Sequence, residues 1–473
     1  MDSKVINVAI FPSKEIDTAS IKTAGQFIVL AQLVRPITQL DQQGQIQGDL
    51  VESWKIQNNF TTFNFKIKND AKWSDGSNIT AVDVENSFKR QIKLNTSNHF
   101  DFGIIKKFMV INQLEFTIEL NQSNSLFIRQ LSYPEFGIIK IEENSPVFSI
   151  TSGPYSLIAK NDSGYSLTKN HHYKDFLEGS PDKINFHNYS QEEILKGNGK
   201  NLDFIIPYAL TENEVQDLVK NLNGTITQPH IGFTHWFSIN PDSSLFDTTK
   251  KKRYIQNLIK NGLRKIEEST SLLWTTANQL YLPDGLGRPT ALELEKIWKE
   301  IDNDAKGVRL EGKEVKILLR PEFRFTREVV KLLENEGLKP KITIAATFQE
   351  ITRLNQNENF DLLLMSNDFS SMDLHENLQT TFNPLHPLII TNKDDSQFQE
   401  LLKAALLEGE SIQRHEVYKD IAKKVLTKGY IAPIVYQKLV FIHKKNIDLS
   451  AWSTLFPDFS FWRMKVDNEK NVK

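Results

Sequence analysis

Three apolar segments separated by two helical segments constrain the fold of the second half of the chain. Strands are predicted over Val315–Leu319, Lys341–Ala345 and Asp361–Met365, and helices over Arg324–Glu336 and Thr347–Gln356. This β-α-β-α-β order predicts parallel strands joined by right-handed crossovers. The uninterrupted apolar run of the third strand is typical of a sheet that is covered on both faces. We therefore predict an α/β fold in this half.

A parallel sheet also predicts where a ligand binds, because ligands meet such sheets beyond the carboxyl ends of the strands. The segment that follows the third predicted strand is Ser366–Ser371, which contains Asn367, Asp368 and Phe369. This segment is therefore a candidate ligand-facing loop.

The first half of the chain has a different pattern. Apolar residues alternate along Phe63–Ile67 and Phe116–Leu120, which predicts two half-buried strands of an antiparallel layer. Between them, Thr80 and Asp83 predict the capped start of a helix. The segment Ile28–Val34 suits either a strand or a helix.

Length and charge limit the class of protein. The chain has 473 residues, which is long for one core, so we expect at least two lobes. The 57 basic and 59 acidic residues give a net charge of -2, which offers no general attraction to nucleic acid. The sequence contains no cysteine, which excludes disulfides, thiolate nucleophiles and Cys-ligated metal sites.

The sequence contains no segment of the ~18 apolar residues needed to span a bilayer. The first residues, from Met1 to Ile6, have no apolar stretch of the kind found in signal peptides. The chain is then either cytoplasmic or a mature form that begins with a new Met.

Motifs for catalysis are not found. The segment Gly197–Asn201 lacks the first glycine and the hydroxyl residue of a nucleotide-binding loop. Neither His375-Glu376 nor His415-Glu416 has the second histidine of a zinc protease, and the adjacent His171 and His172 are better explained as loop residues. We therefore expect no catalytic residue, no metal site and no cofactor. Carboxylate pairs of the glycosidase type remain open, because their pairing is spatial.

A resemblance to a known family rests on four consecutive segments: Gly48–Trp54, Phe63–Lys68, Ala71–Gly76 and Thr80–Arg90. Their residues and order resemble the signature of the family 5 extracellular solute-binding proteins. Further resemblances follow in the expected order and extend the likeness from about residue 5 to 465, at Ser152–Leu157, Asn170–Tyr173, Trp236–Asn240, Asp361–Phe369 and Ile431–Ile434.

The resemblance implies an α/β fold, a bilobal periplasmic-binding-protein-like clamp of class II with an extra subdomain in the first lobe. We expect lobe I to comprise residues 1–44, 151–235 and 440–473. The subdomain is expected at 45–150 and lobe II at 236–439.

The resemblance also implies a function without chemistry: the substrate-binding component of an ABC transporter, which captures short peptides in an interlobe cleft and delivers them to a membrane permease. By the same resemblance, Asp368 is expected to pair with the peptide α-amino group. Asn367, Phe369, Trp236 and Asn240 are expected to contact the ligand. We expect a monomer outside the cytoplasm, either periplasmic or lipid-anchored at the cell surface, and no nucleic-acid partner.

Other cargoes and roles stay open, because the sequence departs from the family pattern. Met365 stands where the family usually has Trp, and Met372-Asp373 stands where Asp-Pro often follows. The same clamp binding a metal complex or an oligosaccharide is one alternative, and a ligand sensor is another. A glycoside hydrolase on a similar scaffold is a further alternative, which would need two carboxylates ~5–10 Å apart.

Overall fold

The computed structural model describes residues 3–10, 13, 15–94, 100, 102–141, 148–206, 210–228, 232–266, 272–282, 287–321, 323, 325–367, 374–382, 396–409, 411–454 and 458–467. The chain divides into two compact units. The first unit is Met1–Pro229 with Val440–Lys473, and the second unit is His230–Leu439.

The strands of the first unit are β1 (Val5–Ile10), β2 (Thr38–Leu40), β3 (Ile46–Gly48), β4 (Val51–Gln57), β5 (Thr62–Ile67), β6 (Ile105–Val110), β7 (Glu115–Leu120), β8 (Tyr155–Asn161), β9 (Gly164–Lys169), β10 (Lys183–Asn188), β11 (Phe204–Ile205), β12 (Gly224–Thr227), β19 (Phe441–Lys444), β20 (Ile447–Asp448) and β21 (Lys465–Val466). Its helices are α1 (Ala24–Leu33), α2 (Ala81–Leu94), α3 (Phe127–Gln130), α4 (Gln191–Leu195) and α5 (Glu212–Asn221). Short 3₁₀ helices cover Thr18–Ser20, Phe102–Ile104, Pro134–Phe136, Asn198–Asn201 and Phe461–Arg463.

The largest sheet of the first unit has the order β12-β19-β11-β1-β10-β9-β8. Strand β1 is parallel to both β10 and β11, and the outer strands pair antiparallel. The segment that was ambiguous in sequence forms helix α1. This helix begins with a capping box. The Thr23 hydroxyl oxygen accepts a hydrogen bond from the Gln26 N–H, and the Gln26 side-chain oxygen accepts one from the Thr23 N–H, so two backbone N–H groups at the start of the helix have local partners.

The predicted antiparallel layer is confirmed as a four-stranded sheet of order β4-β5-β7-β6. Phe65 and Phe116 face each other across β5 and β7 with ring centroids 4.9 Å apart. Helix α2 covers this sheet and begins as predicted, because the Asp83 carboxylate accepts hydrogen bonds from the Thr80 backbone N–H and hydroxyl at 2.8 Å each. This sheet therefore has its own buried core.

The second unit contains strands β13 (Gly232–Ile239), β14 (Trp274–Thr276), β15 (Glu314–Leu319), β16 (Lys339–Ile344), β17 (Leu362–Asn367) and β18 (Ile431–Lys438). Its helices are α6 (Thr249–Ile266), α7 (Ala291–Ala305), α8 (Thr326–Asn335), α9 (Phe348–Asn357), α10 (His375–Thr381), α11 (Ser396–Leu407) and α12 (Ser411–Thr427).

These strands form one mixed sheet of order β14-β18-β13-β17-β15-β16. Strand β15 is parallel to β16 and to β17, which confirms the predicted β-α-β-α-β arrangement. Successive strand residues point to opposite faces, so Trp236 and Phe237 of β13 belong to different cores. The sheet is covered on both faces, as the apolar run of β17 predicts.

Candidate functional site

The candidate site lies at the carboxyl end of β17, where the strand ends with Asn367. Asn367 pairs with Thr234 of β13, and Thr234 in turn pairs with Tyr436 of β18. Asp368 and Phe369 follow Asn367 directly in the chain and lie outside the described residues. Because β17 is parallel to β15, this is the sheet edge where ligands of open α/β sheets are expected.

Polar atoms without partners collect at this edge. The Asn367 amide nitrogen donates to Thr381 Oγ1 of α10 at 3.1 Å, which fixes the side chain. Asn367 Oδ1 and Thr234 Oγ1 are both buried and have no hydrogen-bond partner in the part of the chain that the structure describes. Unpartnered buried polar atoms are uncommon in folded proteins. The edge therefore offers acceptors for which the described residues provide no donor.

Trp236 lies on the same face of the sheet, two residues from Thr234. It is completely buried, and its ring packs in the core with its centroid 6.5 Å from that of Phe382. Its indole N–H also has no partner among the described residues. In this conformation Trp236 presents no surface to a ligand, and its predicted ligand contact stays a prediction.

Asn240 lies at the opposite end of β13. Its amide nitrogen donates to Phe360 O at 2.7 Å, and its Oδ1 accepts from the Asp242 N–H at 2.9 Å. Six residues of strand separate Thr234 from Asn240, which corresponds to roughly 20 Å. The structure therefore does not bring Asn240 to the Asn367 end of the sheet, and its local role is to hold the strand end.

Sequence inspection missed a polar row on the other face of the same edge. His235 Nδ1 lies 2.6 Å from Ser366 Oγ, and His235 Nε2 lies 2.6 Å from Gln437 Oε1. The three residues belong to three different strands, β17, β13 and β18. The signal that could have found them, a polar residue at each of three neighbouring strand ends, is visible only when the pairing of the strands is known.

Among the residues described, no group of three or more His, Asp or Glu side chains is placed to hold a metal ion. Within the same residues, no helix combines the length and the apolar character required to cross a membrane.

Comparison with known proteins gives a consistent family. Residues 45–255 match the model of the bacterial extracellular solute-binding proteins, family 5 Middle. The nickel-binding protein NikA of Staphylococcus aureus is 25% identical over 186 residues, which is 38% of this chain and 37% of that protein. The oligopeptide-binding protein OppA of Bacillus subtilis is 21% identical over 269 residues, 49% of each chain. The matches span at most about half the length of these curated relatives.

The likeness in fold extends over the whole chain. The murein tripeptide binding protein MppA of Escherichia coli superposes with a TM-score of 0.74 at 17% identity, covering 98% of this chain and 99% of that one. At this identity the likeness concerns the fold alone, which is that of the periplasmic binding proteins. The family model, the curated relatives and the sequence signature together support the assignment of the chain to family 5 of the bacterial extracellular solute-binding proteins.

Proposed function

We propose that this chain is the substrate-binding component of an ABC importer and that it captures short peptides for a membrane permease. The family match supports the transporter class, and the names of OppA and MppA support a peptide cargo. By this proposal, the protein acts outside the cytoplasm as a monomer, binds its ligand without catalysing a reaction and needs no cofactor.

The observation that carries the peptide proposal is the pair of unpartnered acceptors at the carboxyl end of β17. A peptide has an N–H donor at almost every residue and an ammonium group at its amino end. Donors of this kind would satisfy Asn367 Oδ1 and Thr234 Oγ1 once movement of the surrounding side chains exposes these two buried atoms. Asp368, the next residue in the chain, would pair with the ammonium group, as the family resemblance implies.

The two compact units are proposed to be the two lobes of the clamp. The segment 45–150, which contains the four-stranded sheet and its core, is proposed to be the subdomain of the first lobe.

A metal complex is the second candidate cargo, because NikA, whose name gives nickel as its ligand, is among the matched relatives. A chelated metal does not need three protein side chains as ligands, so its binding would rest on contacts with the chelator.

Calorimetry with a library of tripeptides to pentapeptides tests the proposal, after native mass spectrometry has identified any co-purified ligand. We expect Asp368→Ala to weaken peptide binding at least tenfold and Asn367→Ala to weaken it by a smaller factor. Asp242→Ala is the matched control, since this exposed carboxylate lies beyond the opposite end of β13. Absence of peptide binding in the unaltered protein would refute the peptide cargo, and binding of a nickel chelate instead would establish the second candidate.

A further inference from the structure

A cavity of about 720 Å³ lies at the β14 edge of the sheet in the second unit, between α6, α7 and the turn after β14. This volume is in the range of small-molecule sites. Basic side chains outnumber acidic ones around it: Lys260, Arg264, Arg288 and Lys299 against Glu295 and Asp302. Cations from two helices and a turn therefore converge on one concave surface.

The two arginines are available to a ligand. Arg264 and Arg288 are exposed, and neither forms an ion pair or side-chain hydrogen bond in the described part of the chain. A planar guanidinium presents a fork of donors that fits phosphate and carboxylate oxygens. Within the described part of the chain, both arginines of the cavity are thus open to an anion.

Lys260 adds a cation that is held in place. Its Nζ lies 4.0 Å from the centre of the Trp298 ring, a favourable cation–π arrangement. Burial lowers the pKa of Lys260, an effect that Arg264 reinforces and Asp302 opposes. A bound anion would relieve the repulsion between the two cations and would stabilise the charged lysine.

The cavity also contains acceptors without donors. Gln279 is only 1% exposed, and its Oε1 is buried without a hydrogen-bond partner among the described residues. Asp302 Oδ1 is buried and unpartnered in the same way. The turn that carries Gln279 is held by Tyr436, whose hydroxyl accepts from the Gln279 N–H and donates to its carbonyl, both at 3.2 Å.

We propose that this cavity is a second binding site, for a small multivalent anion that carries hydroxyl groups, such as a sugar phosphate or a hydroxycarboxylate. The anionic group would bind Arg264 and Arg288, and hydroxyl groups would donate to Gln279 and Asp302. Both parts are required, because a bare anion leaves the buried acceptors unsatisfied and a neutral sugar leaves the arginines unused.

A neighbouring depression shows what distinguishes this cavity. The depression, of about 990 Å³ between α6 and α8, contains Arg327 and Lys331 but also Glu328 and Glu336. Its full lining has four basic and three acidic side chains, against four and two in the cavity, so its excess of positive charge is smaller. Arg327, which is exposed and has no ion pair among the described residues, supplies a matched control.

Calorimetry at low salt with glucose 6-phosphate, citrate, inorganic phosphate and glucose tests the site. We expect glucose 6-phosphate or citrate to bind at least tenfold more tightly than inorganic phosphate and glucose not to bind. Tighter binding of glucose 6-phosphate would indicate a phosphate ligand, and tighter binding of citrate would indicate a carboxylate ligand. Binding should weaken as sodium chloride is raised from about 50 to about 200 mM, because the arginines are exposed.

In the double variant Arg264→Ala/Arg288→Ala, the affinity for the tighter-binding probe should fall at least tenfold. Arg327→Ala should leave that affinity unchanged. Gln279→Leu should reduce the preference of the site for glucose 6-phosphate or citrate over inorganic phosphate. Peptide affinity and thermal melting of the double variant should equal those of the unaltered protein, which separates this site from the proposed peptide site. The proposal is overturned if neither hydroxylated anion binds, or if the double variant binds as tightly as the Arg327→Ala control.

Discussion

The Arg35 guanidinium donates to the Asp49 carboxylate at 2.7 Å, and both side chains are at most 7% exposed. A second hydrogen bond from Arg35 reaches the Asp49 carbonyl oxygen at 2.9 Å, and the Tyr173 ring lies 5.2 Å from the guanidinium. Burial raises the pKa of Asp49 above its usual value although the attraction of Arg35 opposes the rise. The buried pair ties the segment after α1 to the segment that leads into β4.

Removal of one member of this pair is expected to lower the free energy of unfolding. In Asp49→Ala the buried Arg35 charge keeps only the half-exposed Asp175 carboxylate, 3.8 Å away, so we expect a loss of about 2–4 kcal/mol in the free energy of unfolding, towards the lower end of the cost of a broken buried pair. Asp49→Asn should lose less, because its side-chain oxygen still accepts a hydrogen bond. Chemical denaturation followed by tryptophan fluorescence measures the loss.

The double variant Arg35→Met/Asp49→Leu provides the control, because an apolar pair of similar size removes both charges from the interior. It should be more stable than Asp49→Ala alone. A loss below about 1 kcal/mol in Asp49→Ala, smaller than the lower limit for a broken buried pair, would contradict the assigned role.

The lowered pKa of Asp75 predicts that the stability of the protein decreases at low pH. Burial opposes its ionisation, but hydrogen bonds from Lys140 and Ser77 outweigh burial and hold the pKa of Asp75 at about 2, below 3.8. The folded form therefore favours the carboxylate more than the unfolded form does. The resulting stabilisation is fully present above about pH 4 and is lost as the pH falls towards 2.

Thermal melting of Asp75→Asn at pH 5 and at pH 2.5 tests this dependence. The variant should melt below the unaltered protein at pH 5, and the gap should narrow at pH 2.5. Asp162→Asn, a change of an exposed aspartate in the turn between β8 and β9, is the control and should show no such trend. A gap for Asp75→Asn that is equal at both pH values would contradict the prediction.

Much of the fold could be predicted because local patterns and packing agree. Thr80 and Asp83 predict the start of α2 through chemistry within one helical turn, and the apolar run of β17 predicts a buried parallel strand. The Arg35–Asp49 pair could not be predicted in the same way. Its partners are 14 positions apart and belong to no shared local motif.

Gly262 predicts a stability effect that depends on a neighbour. A Cβ atom at this position of α6 would lie 2.3 Å from Leu332 Cδ2 of α8. Alanine inside a helix is otherwise better than glycine by about 1 kcal/mol. We therefore expect Gly262→Ala to leave the free energy of unfolding unchanged or to lower it in the unaltered protein. In a protein that already carries Leu332→Ala, the same change should raise the free energy of unfolding.

Chemical denaturation of the two single variants and the double variant measures this coupling. The expected interaction between the two changes is about 1 kcal/mol or more in favour of the double variant. If the changes in the free energy of unfolding of the two single variants simply add in the double variant, Leu332 moves aside without cost and the prediction is wrong.

The candidate site could be predicted only in part. The position of β17 follows from the β-α-β-α-β order, and with it the place where Asn367 ends the strand. Strand β13 runs antiparallel to β17, so the beginning of β13, with Thr234, and not its end lies beside Asn367. Asn240 lies roughly 20 Å away at the far end of the strand, and no pattern within β13 indicates which of its ends pairs with the end of β17.

This separation yields a prediction about affinity and stability. Thr381→Val removes the hydroxyl that accepts from Asn367 and keeps the shape of the side chain, so Asn367 loses the hydrogen bond that orients it; peptide binding should weaken about two- to fivefold, by no more than in Asn367→Ala. Asn240→Ala removes two hydrogen bonds at the far end of β13 and should lower the melting temperature with little change in peptide affinity. Calorimetry and thermal melting of both variants measure the two effects. If Asn240→Ala weakened binding more than Thr381→Val, the ligand would lie at the other end of the sheet, and the carboxyl end of β17 would no longer be the candidate site.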